Sequence, residues 1–496
     1  MALLKQNPDR WERPSFFERI DYGKLTRVAI VLGVLGLVAG IAVALALPSK
    51  YAFLAVLPAA LPIVLLGMEF ILKQRDFGPL LVLIMAAFIP LKLPTGTEST
   101  LVGSLVLTIV LIGLWLLRML AVERRFWLHP SAVNKPLLGF MAAVVVALVW
   151  SNLLVDPFVH WRSFSPVAIA SAVVMIMLPG AFLLMANHIN SVRMLKVMVV
   201  VMLTAGAVGI VQRYDIVPSL PINTGGMFNL WVITLATGLA LFASTLSKWV
   251  RLLLLVLAGV YVVWGFLLHI SWLAGWLPGL AALGVMTFMR SKKLVLVIVL
   301  LAVVTIIVNS DYYVGKVLGN ESNESGFTRL QAWEFNWRVT GQHLLFGTGP
   351  AGYAYYYMTY FPRDAMATHS NYIDILAQTG VVGFSLYLLF FLVLAWRGFK
   401  LCRSLKGQGD FVEALANSAF AGTVACILIM GFGDWLIPFA YTQTIAGFDY
   451  AVYNWLFMGA IVVLERLAGN GKTAPTTALA SPTTAWRQQA GTASHA

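Results

Sequence analysis

The sequence predicts an all-α, polytopic transmembrane helix bundle, and three observations carry that expectation. First, 60% of the 496 residues are hydrophobic and 11% are charged, whereas a soluble domain has roughly 45–50% apolar and about 25% charged residues. No soluble interior of this size hides so much apolar surface. Second, apolar runs of about 20 residues, the length needed to cross a bilayer as a helix, recur along the chain. Third, basic residues gather on alternate connections between those runs. A soluble enzyme, a nucleic-acid module and a secreted disulfide scaffold are thereby excluded. The two cysteines are Cys402, in a basic connection, and Cys426, inside an apolar run. They do not suggest a disulfide.

The elements follow in order. Residues 1–27 carry six Lys/Arg and no small-residue cleavage site, so they read as a cytoplasmic segment and not as a removable signal. Spans one to eleven occupy 28–308, as runs at 28–47, 51–72, 77–91, 101–120, 136–155, 167–186, 194–212, 229–246, 252–269, 273–289 and 294–308. The turn His269–Trp272 is short enough for its neighbours to form one re-entrant unit. Residues 309–379 form the one long polar connection. Spans twelve to fourteen follow within 380–466, at 381–396, 414–432 and 448–464. The tail 467–496 is rich in Ala, Thr, Ser and Pro and reads as disordered. About fourteen spans result, and twelve to fourteen are compatible with the pattern. Placing residues 1–27 in the cytoplasm puts 26 of the 34 basic residues on the cytoplasmic side. Both termini are then cytoplasmic and the long loop is external. The net charge of +13 is therefore mostly a topology signal, and no nucleic-acid partner is implied.

Long structured loops usually carry function. Within 309–379, Thr328 and Gln331 have capping-box spacing, so a helix should start there. Leu330, Trp333, Trp337 and Leu344 recur at helical spacing and make an apolar stripe suited to a membrane surface. The helix should stop before Phe346-Gly347-Thr348-Gly349-Pro350, a turn. An aromatic stretch from Tyr353 to Phe361 follows. Next comes Ala367 to Gly383, in which Ser370 can cap a short helix ending at Gly380.

These residues resemble the O-antigen ligase and O-antigen polymerase family of membrane glycosyltransferases. The resemblance rests on His369 and Ser370, nine residues, then Gly380 and Gly383, at the outer end of a span. It rests also on Arg329, Trp333, Gly347 and Gly349 in that order before them. It covers roughly residues 325–396. One departure is present: where family members often carry a second Arg two spans before the loop, this chain has Ser271-Trp272-Leu273. The resemblance implies transfer of a glycan from undecaprenyl diphosphate, at the outer face of the cytoplasmic membrane, to an acceptor hydroxyl. That acceptor is a lipid A core sugar, another glycan or a protein hydroxyl. No metal and no other cofactor is implied.

The chemistry of the residues agrees with that expectation. Glycosyl transfer needs a base for the acceptor hydroxyl, and His369 is of the type that titrates near neutrality. It needs cations for the departing diphosphate, which guanidinium groups grip through paired hydrogen bonds. Arg329 is the first candidate, followed by Arg338, Arg363 and Arg213, each of which can instead reach to lipid headgroups. Gly347, Gly349, Ser370, Gly380 and Gly383 are expected to shape the loop. Asp374 reads as helix surface, and Glu69 and Asp434 as interfacial side chains at span ends. His160, His269 and His343 read as structural. No Asp-x-Asp-like metal cluster occurs in an outer loop. The competing reading is a multi-pass polysaccharide or lipid transporter, whose span centres would carry ionisable residues or paired broken helices. Pro58, Pro62, Pro179-Gly180 and Pro278-Gly279 are the places where helices could break.

Overall fold

A computed structural model of the chain describes most of residues 76–473. Outside the described residues lie 1–75, 95–98, 155, 158, 160–163, 214–221, 266–272, 309, 311–325, 362–364, 366 and 474–496. The first two expected spans, the turn His269–Trp272, Glu69, His160 and Arg363 fall there. All the remaining expected spans fall on helices: α1 (Phe77–Phe88), α2 (Gly103–Arg118), α3 (Asn134–Leu153), α4 (Phe164–His188), α5 (Val192–Arg213), α6 (Phe228–Phe242), α7 (Lys248–Val263), α8 (Leu273–Arg290) and α9 (Lys292–Val308). The long connection then supplies α10 (Gly326–Gln342) and α11 (Tyr353–Tyr360). The chain closes with α12 (Asn371–Leu405), α13 (Phe411–Ile429) and α14 (Gly447–Thr473). Seven of the described helices are long and apolar enough to cross a membrane, and α1 and α6 are shorter apolar helices. The protein is an all-α polytopic bundle.

The centre is set by α14 and α6. Trp455, Tyr453 and Phe457 on α14 and Trp231 and Phe228 on α6 are all buried, as is nearly every other side chain of these helices. They pack against α4, α13, α7 and α8, while α12 lies along α3 and α13. Helices that are apolar all round and buried all round occupy the interior of a large bundle. The outer ring shows Leu253, Val200, Leu300 and Leu153 outward. That is the surface a hydrocarbon solvent favours.

Several local expectations need correction. Pro179 and Pro278 lie inside α4 and α8, which continue through them. Neither helix is broken at its proline. Cys402 is buried within α12, because that helix extends to Leu405 and takes in the basic connection. The tail begins later than residue 467: α14 runs to Thr473, with Leu467 and Ala468 packed on the core. Residues Lys92–Pro94 and Thr100–Val102 pair as a small antiparallel hairpin. Short β-rich stretches between spans give too little periodicity to be read from sequence.

The loop helix α10 starts at Gly326, two residues before the expected cap. Its stripe Leu330, Trp337 and Leu344 is exposed, whereas Ala332, Asn336, Val339 and Thr340 are buried. The stripe is therefore split: Leu330, Trp337 and Leu344 point outward, while Trp333, its fourth member, is half-buried and turned to Thr368. The aromatic stretch after it is itself helical, as α11. Tyrosine and other aromatics favour strands over helices in isolation, and tertiary packing overrides that here.

Candidate functional site

The shape of the site is set by a break in α12. Gly380 has φ +65° and ψ −171°, a backbone region open essentially to glycine alone. It divides α12 into a short helix from Asn371 and a long one that spans. Each side of the break leaves backbone groups without helical partners, and the turn 343–352 supplies them. Thr348 N–H donates to Ala377 O at 2.8 Å and Gly349 N–H to Gln378 O at 3.1 Å. On the other side, Val381 N–H donates to Leu344 O at 2.8 Å and Val382 N–H to Leu345 O at 3.3 Å. Gln378 Oε1 accepts Ala351 N–H at 2.7 Å.

Gly347 and Gly349 have φ of +70° and +85°, and a Cβ on Gly347 would lie 2.5 Å from Ala377 O. A Cβ on Gly380 would lie 2.3 Å from the Leu345 carbonyl. A Cβ on Gly383 would meet the Thr379 side chain at 2.3 Å. The glycines of the two sequence clusters thus close one joint from opposite sides. Gly380→Ala should destabilise the protein by at least about 1–3 kcal/mol, the cost of such backbone strain alone. Thermal unfolding in detergent checks this, and an unchanged midpoint would refute the joint.

The short helix presents the chemistry. His369 sits just before it with φ +50°, a left-handed conformation uncommon for residues other than glycine, though histidine adopts it more readily than most. Strain of this kind gathers at functional sites. The segment is held by the connection between α13 and α14. Ser370 occupies the N-cap position but makes no side-chain capping bond. Its hydroxyl donates instead to Met430 O at 3.2 Å, so the expected cap is corrected to a tether. Asn371 Nδ2 donates to Ile437 O at 2.7 Å, and its Oδ1 accepts Leu436 N–H at 3.0 Å. Tyr372 donates to Ile427 O at 2.6 Å. Trp333 Nε1 reaches across from α10 to Thr368 O at 2.8 Å.

Those tethers bring Asp434 opposite His369. His369 Nδ1 is 3.9 Å from Asp434 Oδ1; the histidine side chain is 45% exposed and the aspartate side chain 3%. Thr442 donates to Asp434 Oδ2 at 2.8 Å and Gln443 Nε2 to Oδ1 at 3.1 Å. Burial opposes the charge on Asp434, but His369 and the Thr442 hydroxyl outweigh it and hold the carboxyl below its ordinary range. Asp434 is therefore not an interfacial side chain. It is a buried carboxylate aimed at the one exposed ring of the site. Asp374 is not helix surface either. It is 1% exposed, and its Oδ1 accepts from Tyr353 at 2.6 Å and from Thr368. Burial and the facing Asp374 raise Tyr353 well above its ordinary range, so that hydroxyl remains a donor.

The arginines divide. Arg338 is exposed and paired with Glu334 at 2.6 Å on the solvent side of α10, away from this cluster. Arg329 lies in the first turn of α10, and its side chain is outside the described residues. Arg213 ends α5 with its guanidinium 4.0 Å over the Trp264 ring and 5.2 Å over the Tyr261 ring. Its Nη2 donates to Asn229 Oδ1 at 3.1 Å and Thr224 O at 3.3 Å, while Nη1 is buried and has no hydrogen-bond partner among the described residues. A buried unsatisfied donor is costly and calls for a physical explanation. The adjoining turn joins this corner to the connection that carries Asp434, since Gly226 packs against Trp435 and Tyr450. His343 follows α10 and meets the Tyr356 hydroxyl at 2.6 Å and Asp156 at 3.6 Å. Among the described residues, no group of three or more His, Cys, Asp or Glu is placed to hold a metal ion.

Comparison with known families decides what this joint belongs to. Residues 225–388 match the family model described as O-Antigen ligase. Over that stretch, about a third of the chain, the protein is similar to the O-antigen ligase family. The matched stretch runs from the turn before α6 through α10 and α11 to the spanning part of α12 beyond Gly383. His369 and the glycines of the joint lie inside it, whereas Arg213 and Asp434 lie outside. No curated protein matches the chain. That similarity, together with the apolar helices, supports a membrane glycan-ligase role.

Proposed function

We propose that this protein transfers a glycan from an undecaprenyl-diphosphate carrier to an acceptor hydroxyl, in assembly of a cell-surface polysaccharide. The reaction takes place at the outer face of the cytoplasmic membrane, with both termini cytoplasmic and the loop 309–379 external. The observation that carries this reading is the exposed His369 ring, held on left-handed backbone inside the matched domain and facing the buried carboxylate of Asp434.

A histidine donating Nδ1–H toward Asp434 leaves Nε2 free to accept. In the reaction, Nε2 takes the acceptor proton as the acceptor oxygen bonds to the anomeric carbon. The bond from that carbon to the diphosphate oxygen breaks, and undecaprenyl diphosphate leaves with the electron pair. Asp434 holds the ring and offsets the charge it gains, which is the work of a buried carboxylate behind a catalytic histidine. The 3.9 Å separation is longer than a hydrogen bond. Contacts of this kind often tighten only when substrate is bound.

Charge on the leaving diphosphate needs cations. Arg213 fits that role, because it is stacked, half-buried, and has an Nη1 without a hydrogen-bond partner among the described residues. It is our candidate for the position left open by Ser271-Trp272-Leu273. Arg329 and Arg363 are the loop candidates beside it, and Arg338, being paired and exposed, is the weakest. Arg213→Lys keeps the charge but not the fork or the planar stack. It should lower transfer strongly, and donor binding with it, while Arg338→Ala lowers both little. Near-normal transfer by a folded Arg213→Lys protein would remove Arg213 from the diphosphate site.

The acceptor is a lipid A core sugar, another glycan or a protein hydroxyl. Glycan transfer from a lipid-linked donor by the purified chain, with no energy source, is the experiment that tests the function. A requirement for an ion gradient would favour the transporter reading. Reporters fused near Gly407 and Asn323 should report opposite sides, cytoplasmic and external. Both on one side would overturn the orientation.

A further inference from the structure

Far from the ligase joint, a crevice of about 580 Å³ opens between α5, α6, α7 and the start of α13, within the usual size of a ligand site. Its walls are apolar, with Val199, Val200 and Leu203 from α5, Leu239 from α6 and Leu254 from α7. It lies where α5, α7 and α13 begin and α6 ends, the end that the basic residues mark as cytoplasmic. Its polar rim is Lys196, Thr245 and Asp410.

We propose that this crevice binds an anionic glycerophospholipid of the cytoplasmic leaflet, with one acyl chain between the helices and its phosphate on Lys196. Three observations favour that occupant. Lys196 is exposed at the mouth with its ammonium 5.6 Å over the Phe411 ring, and among the described residues it has no carboxylate partner. The carboxylate of Asp410 is turned to α13, where it accepts Glu413 N–H at 3.0 Å, and does not compete for Lys196. Lys248 and Trp249 begin α7, in sequence between the lining residues Leu246 and Val250, and Trp249 is 77% exposed; Trp and Lys mark the headgroup level of a bilayer. An apolar slot of this volume, placed against the bilayer, accommodates an acyl chain, and Lys196 selects the sign of the headgroup. The inference needs the membrane placement and orientation but not glycan transfer, so the two fail separately.

The test is native mass spectrometry of the full chain from micelles containing phosphatidylglycerol or phosphatidylcholine. Wild type should retain phosphatidylglycerol preferentially. Lys196→Gln should reduce that preference about fivefold, the effect of one basic residue near an anionic headgroup. Val200→Trp, which fills the slot from an exposed position, should reduce retention of both lipids. Val197→Trp, exposed on the same helix but not lining the slot, is the control for folding and should behave as wild type. Equal retention of both lipids by wild type, or an unchanged preference in Lys196→Gln, would overturn the anionic headgroup. Unchanged retention in Val200→Trp would overturn the chain site. A change of oligomeric state in Val200→Trp without lipid loss would give the crevice to a second copy of the chain and also overturn the proposal.

Discussion

His369→Ala should lower glycan transfer by about 10²–10⁴-fold, the contribution of a positioned general base. The side chain is nearly half exposed, so little packing is lost, and expression and membrane insertion should be unchanged. Donor binding should survive, because the proposed diphosphate contacts are made by arginine. The replacement also relaxes little of the local strain, since alanine at φ +50° is no better placed than histidine. A variant that inserts and binds donor but does not transfer is the expected outcome. Loss of folded protein would instead make His369 a structural element of the joint.

Asp434→Asn should cost nearly as much. The amide retains the shape and the contact with Thr442, but it can present a donor to His369 where the carboxylate presents only acceptors. The ring then loses both its orientation and the charge that stabilises its protonated form, and losses up to about 10⁴ accompany this change behind a catalytic histidine. The same substitution has a stability signature. Because the folded carboxyl lies below its ordinary value, its ionised form contributes stability above about pH 4. That contribution is lost as pH falls through the folded value. Asp434→Asn should therefore flatten part of the acid limb of the unfolding profile. Transfer within a few-fold of wild type would remove Asp434 from the mechanism.

The bundle was legible because each span is a run long enough to stand out against any alternative, and helix ends are where the reading slipped. The short helix and the following span read as separate elements, and Gly380 is indeed where they part, within the stretch Asn371–Leu405. The histidine and glycines were legible because they are close in sequence. Their purpose was not: nothing local says that Thr348 and Gly349 satisfy the carbonyls of Ala377 and Gln378. Asp434 was misread because a lone carboxylate at the end of an apolar run usually faces water. Its partner is 65 residues away, and that pairing exists only through the tethers of Ser370 and Asn371. Gly431 and Gly433 beside it and Pro438 after it were the available signal that the chain turns there instead of simply leaving the bilayer. Arg213 carried no local signal beyond its side of the membrane, since its stack on Trp264 is tertiary.

The role of His369 as the base of an energy-independent glycan transfer is most directly tested in a single turnover. The assay uses purified protein in vesicles, a labelled undecaprenyl-diphosphate glycan, an acceptor, and neither nucleotide nor ion gradient. Wild type and His369→Gln are compared, since glutamine hydrogen-bonds but cannot take the proton near neutral pH. Wild type should form product, both proteins should bind donor equally, and transfer by His369→Gln should be lower by at least about 10². Product formed at a near wild-type rate by His369→Gln, or no product from wild type until a gradient is imposed, would contradict that role.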